Sequence, residues 1–178
     1  MIEIKGLHKS FGPKTVLEGV DLDIRNGETM CVIGKSGSGK SVLLKHIVGL
    51  LYPDRGTVIV DGREIPEMDS KELFSLRLKI GFVFQGAALF DSYNVFENIV
   101  LGLYEHGIRD MNKLNDEAVR VLSAVAMLPE RDGTNEREFQ KEWEILKNKM
   151  PSDLSGGMKK RVGVARALVG EPDYIFYD

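Results

Sequence analysis

The sequence predicts an α/β fold, a single domain in which a β-rich core is interrupted by a helical subdomain. Short strand-like runs separated by turn signals fill residues 1–85, helical periodicity dominates residues 86–170, and an apolar strand-like run returns within 171–178. A chain of 178 residues with 43% hydrophobic content is long enough for one core and short for two.

The elements follow from the chain in order. Residues 2–7 alternate apolar with polar or charged side chains, as a half-buried strand does. Residues 20–24 precede the turn pair Asn26-Gly27, and residues 57–60 precede Asp61-Gly62, so both read as strands entering tight turns. Between them, 29–33 contains the continuous apolar run Met30-Cys31-Val32-Ile33 and reads as a buried strand. A helix is expected from Lys40 to about residue 51, because Leu43, Leu44, Ile47, Leu50 and Leu51 share one face and Pro53 stops it. A helix over 71–78 and a strand over 80–84 come next. Helices over 95–104, 115–127, 135–149 and 155–168 make up the middle of the chain, and 174–177 reads as a buried strand.

Composition excludes some function classes. A net charge of −3 and a pI near 5.7 offer no basic surplus for a nucleic-acid backbone, so no nucleic-acid partner is expected. The single cysteine, Cys31, has no internal partner and suits a reducing cytoplasm. The longest apolar stretch, 42–51, is broken by Lys45 and His46, so membrane contact is expected only through a partner. The first residues lack the apolar centre of a signal peptide.

The strongest chemical signal is Gly34-Lys35-Ser36-Gly37-Ser38-Gly39-Lys40-Ser41, which fits G-x-x-x-x-G-K-[ST] between a predicted strand and a predicted helix. Glycines let the backbone turn its N–H groups inward on phosphate oxygens, and the helix start, with Val42 following the motif, adds its positive end. Lys40 would reach the β- and γ-phosphates of ATP, and Ser41 would hold Mg²⁺. A second signal is Leu154-Ser155-Gly156-Gly157-Met158 ahead of a helical run. Ser155 reads as an N-cap, and open N–H groups at a helix start make an anion site.

Together with the apolar run Tyr174-Ile175-Phe176-Tyr177 ending in Asp178, these motifs resemble the ABC ATPase family over the whole chain. The resemblance implies a phosphate-loop nucleotide-hydrolase core of ABC type, with an antiparallel β subdomain, an inserted helical subdomain and part of the core beyond residue 178. It implies ATP and Mg²⁺ as cofactors. It also implies a head-to-tail dimer, in which Ser155, Gly156 and Gly157 complete the nucleotide pocket of a second copy, and a transmembrane permease that holds the subunit on the cytoplasmic face of the inner membrane. Phe11 resembles the aromatic that stacks on adenine, with a core phenylalanine as the plainer reading. Gln85 resembles the glutamine that senses Mg²⁺ and the attacking water, and Asp178 the aspartate that holds Mg²⁺. Lys40, Gln85 and Asp178 are thus the catalytic candidates, and Ser41, Gln85 and Asp178 the metal ligands.

Met158 stands where most family members have glutamine. With Phe84-Gln85-Gly86-Ala87-Ala88-Leu89-Phe90-Asp91 and Asn94-Val95-Phe96-Glu97-Asn98 it resembles the Mla-type, Mce-associated phospholipid transporters, which implies a lipid cargo and an Mce-type lipid-binding partner. Residues 129–150 are longer than the family leads one to expect. Asn135 with Glu138 reads there as a cap pair, and Phe139, Trp143, Leu146 and Met150 form an apolar stripe that packs on the chain's own subdomain or, alternatively, docks a partner. His8, His46 and His106 read as structural or surface groups.

The family places its catalytic glutamate one residue beyond Asp178, so a polypeptide of these 178 residues is expected to bind ATP without efficient turnover. Alternative readings are the ATPase of a different importer or exporter, a ribosome-associated ABC ATPase, or a regulatory module that holds ATP. A DNA-repair ATPase is disfavoured because no long heptad run separates the two motifs.

Overall fold

The structure, a computed structural model, describes residues 1–129 and 134–178. Within it the chain divides into two compact units, one comprising residues 1–77 with Asp178, the other residues 78–177.

The first unit is built on an antiparallel sheet. Strands β1 (Ile2–Phe11), β2 (Lys14–Ile24), β3 (Arg55–Val60) and the short β4 (Arg63–Glu64) lie in the order β2-β1-β3-β4. Alternation places Ile2 and Ile4 in the core, and a register shift before Leu7 changes parity so that Leu7 joins the same buried face. Asp61 and Gly62 both take positive φ, 50° and 78°, which is the paired left-handed turn that closes a two-residue hairpin. Helix α1 (Lys40–Ile47) lays Leu43 and Ile47 into the core, and α2 (Ser70–Leu78) adds Leu73 and Leu76.

Two expectations fail in this unit. Helix α1 stops at Ile47 rather than near residue 51, because the chain turns left-handed at Gly49, with φ 67°. A Cβ at position 49 would lie 2.7 Å from Leu73 Cδ2, and Arg77 donates to the carbonyls of Val48 and Gly49 just past the helix end. Residues 29–33 form no strand: among the described residues none pairs with them, and Ile33 is 91% exposed. Cys31 is exposed as well. Apolar periodicity reports a face that burial would favour; it cannot supply the neighbouring strand that a ladder requires.

In the second unit β5 (Ile80–Val83) pairs in parallel with β6 (Tyr174–Tyr177). Helices α3 (Val95–Glu105), α4 (Met111–Ala124), α5 (Glu136–Lys147) and α6 (Gly156–Leu168) enclose a core of Ile99, Leu114, Val121, Leu122, Phe139 and Val162. Strand β6 is less buried than expected. Phe176 is inside, while Tyr177 is 67% exposed, since a strand with one partner and alternating faces covers only half of its side chains.

The added segment belongs to this core. Phe139, Trp143 and Leu146 are buried, and Trp143 meets Phe96 edge to face at 6.1 Å, so the stripe packs on its own subdomain. Met150 is half-buried. Asn135 occupies the N-cap of α5 without the side-chain cap bond expected with Glu138. Residues 130–133 of this segment lie outside the described residues. No helix among the described residues is long and apolar enough to cross a membrane.

Candidate functional site

The phosphate-loop residues close on themselves in the first unit. Lys40 sits at the start of α1 and its Nζ donates to the carbonyls of Gly34, at 3.0 Å, and Lys35, at 3.1 Å. The lysine therefore bridges the loop from its end to its beginning. Ser38 N–H donates to Lys35 O at 3.1 Å, completing the turn.

Glycine suits two positions of the loop. Gly39, the N-cap of α1, has φ 96°, and a Cβ there would lie 2.9 Å from Leu17 Cδ2 and 3.0 Å from Val16 Cγ1 on β2. At Gly34 a Cβ would meet Ser38 Oγ at 2.5 Å. Gly37 also takes positive φ, and Lys35, Ser36, Gly37 and Ser38 are exposed. Val42 is half-buried in the first turn of α1.

Ser41 and Asp178 come together across the sequence. Ser41 Oγ donates to Asp178 Oδ1 in a short hydrogen bond, placing a hydroxyl and a carboxylate side by side at the start of α1. Hard oxygen donors of this kind suit Mg²⁺. Phe11 ends β1 and is 47% exposed, with Lys9 Nζ 5.8 Å from its ring centroid, so it is not a core phenylalanine. Beside it, Lys9 pairs with Asp54 at 2.8 Å; hydrogen bonds from the Lys9 ammonium and the Ser10 N–H hold the Asp54 carboxyl below its ordinary value.

Gln85 and the second motif lie in the other unit. Gln85 is exposed in the turn after β5. Ser155 caps α6, its Oγ accepting from Met158 N–H at 3.3 Å, and neither Gly156 nor Gly157 has an atom within 4 Å of where a Cβ would stand. The helix start is thus capped and its first turn is open to a ligand. Met158 is partly buried and packs against the helical core.

Histidines take structural places. His46 is fully buried on α1, with Nδ1 2.7 Å from Val42 O, and His8 Nδ1 lies 2.8 Å from Gly6 O. Burial lowers the His106 pKa below its usual value.

Sequence reading missed two polar devices in the second unit. Asn98, with no exposed surface, holds the 90–94 loop through its side-chain amide. Arg166 donates to the carbonyls of Ala87 and Ala88. Each carried one signal: a polar residue at a position where helical spacing calls for apolar ones.

A glycine-rich loop bridged by a lysine at a helix start, with the next serine against an aspartate, defines the phosphate-loop nucleotide-hydrolase fold. The family model described as ABC transporter matches residues 17–178, and the chain belongs to that family. The probable ribonucleotide transport ATP-binding protein mkl of Mycobacterium leprae is 41% identical over 177 residues, covering 99% of this chain and 46% of that protein. The intermembrane phospholipid transport system ATP-binding protein MlaF of Haemophilus influenzae is 32% identical over 184 residues, covering 100% of this chain and 61% of that protein. Among solved structures, the dimeric ATP-binding cassette MJ0796 bound to ADP and Pi superposes with a TM-score of 0.82 at 33% identity, over 100% of this chain and 73% of that one. The chain thus spans about half the length of the first of these curated relatives.

Proposed function

We propose that this chain is the ATP-binding part of an ABC transporter ATPase subunit, and that lipid is the cargo of the transporter. The observation that carries the nucleotide reading is the Lys40 bridge over the loop, with Ser41 and Asp178 joined at the same helix start. In this reading the loop amides and Lys40 hold the β- and γ-phosphates, and Ser41 and Asp178 hold Mg²⁺, which neutralises charge developing on the phosphates. Gln85 contributes to the metal and water side of the reaction. Phe11 offers an exposed ring to the adenine base.

Ser155, Gly156 and Gly157 complete the pocket of a second copy in a head-to-tail dimer. A permease holds that dimer at the cytoplasmic face of the inner membrane, and an Mce-type protein receives or delivers the lipid. The resemblance of residues 84–91, 94–98 and Met158 to Mla-type ATPases supports lipid cargo, as does similarity to a relative whose name states phospholipid transport. The mkl relative's name states ribonucleotide transport, and an experiment separates the two cargoes. The full chain reconstituted with its permease in vesicles should move a fluorescent phospholipid on addition of MgATP. Uptake of a labelled ribonucleotide, with the phospholipid left in place, would contradict lipid as the cargo.

A further inference from the structure

The turn that carries Gln85 holds an unusual backbone. Ala87 N–H donates to Phe84 O at 3.0 Å, and Ala87 and Ala88 both take left-handed φ, 63° and 46°. Such values are uncommon for any residue but glycine, and two in succession need outside support.

Helix α6 supplies it. Arg166 Nη2 donates to Ala87 O at 2.9 Å, and Nη1 to Ala88 O at 2.8 Å. A planar guanidinium presents two donors in a fixed fork to two successive carbonyls, whereas an ammonium is a single point on a flexible stem. One turn earlier on the same face, Gly163 lies against Ala87: a Cβ at 163 would be 3.1 Å from Ala87 Cβ and 3.2 Å from its Cα. Ala87 is 3% exposed while Gln85 stays exposed, so the buried side of the turn is fixed and the glutamine side is left free. The helix that grips the turn is also the one capped by Ser155; at about 1.5 Å per residue, Gly163 stands about 12 Å along its axis.

We propose that Arg166, with Gly163 beside it, is a positioning residue that locks the Gln85 turn to the helix of the Ser155 motif, so that the glutamine is held in one working orientation. The proposal rests on the reading of Gln85 as a site residue for hydrolysis. Two measurements test it in the full chain with its permease: steady-state phosphate release, and amide hydrogen exchange of the 84–88 peptide.

Replacing Arg166 by Met should lower kcat about tenfold or more and leave KM for ATP within about twofold. Exchange should rise at 84–88. The Lys variant should restore kcat at most in part, since a flexible ammonium does not reproduce the fixed fork that sets both carbonyls. Gly163→Ala, which presses on Ala87 without touching a charge, should give the same pattern, and it replaces Arg166→Met in every comparison if that variant does not fold. In a cycle with Gln85→Ala, the double variant should be no slower than Gln85→Ala alone. Unchanged exchange at 84–88, or losses that multiply in the double variant, would overturn the positioning proposal and leave the role of Gln85 standing. Full turnover by Gln85→Ala would instead overturn the reading on which the proposal rests.

Discussion

Asn98 shows how much one side chain can decide. It has no exposed surface, yet its amide is satisfied: Oδ1 accepts from Phe90 N–H at 2.8 Å, and Nδ2 donates to the carbonyls of Phe90, Tyr93 and Asn94. The adjoining Asn94–Glu97 capping box fixes the start of α3, so the 90–94 loop is held from both ends. Replacing Asn98 by Leu removes the partner of the Phe90 N–H and of three loop carbonyls at nearly constant volume. The expected loss is about 2 kcal/mol or more of stability, read as a lower urea midpoint in the Asn98→Leu chain. A midpoint within error of the parent would show that the loop finds other partners.

At the scale of elements, α6 is held at both ends by different chemistry. Ser155 caps its start, and at its far end Arg120 of α4 donates to Leu168 O while Glu117 accepts from Gly170 N–H at 2.6 Å. Hydrogen bonds from Arg120 hold the Glu117 carboxyl below its ordinary value; the Gly170 N–H adds to this and partial burial opposes it. Because the folded pKa is depressed, the stability that Glu117 contributes is fully present above the usual glutamate range and is lost as pH falls through its lowered value. Glu117→Gln should therefore be less stable than the parent at neutral pH, and urea midpoints should converge as the solution becomes acid. A gap that persisted unchanged in acid would rule out the charge as its source.

These elements also show what a sequence can and cannot reveal. The phosphate loop and the Ser155 motif were readable because their chemistry needs particular residue types at fixed local spacing. Helices α3 to α6 were readable from periodicity, although α4 begins at Met111 rather than at 115 and the cap bond expected at Asn135 does not form. Residues 29–33 were misread because a strand depends on a partner that no local pattern encodes. The Arg166 link to Ala87 and Ala88 joins residues 79 and 78 positions apart, so only the fold brings them together.

For the whole molecule, the two motifs lie in different units: residues 34–41 in the first, Ser155 in the second. A head-to-tail pair would set the Ser155 helix start of one copy against the phosphate loop of the other. Ser155→Arg in the full chain should leave nucleotide binding by the monomer near normal and prevent ATP-driven dimerisation, because a cation and its long stem fill the anion site. Light scattering with MgATP reads this directly, and a normal dimer would count against the pairing. The most direct measurement of the nucleotide site itself is a titration of the chain with MgATP, made on the parent and on Lys40→Ala. Loss of the ammonium that bridges Gly34 and Lys35 should weaken binding about tenfold or more, about 1.4 kcal/mol at least, in a variant whose circular dichroism matches the parent. Equal affinity in the two folded proteins would contradict the assignment of residues 34–41 as the phosphate site.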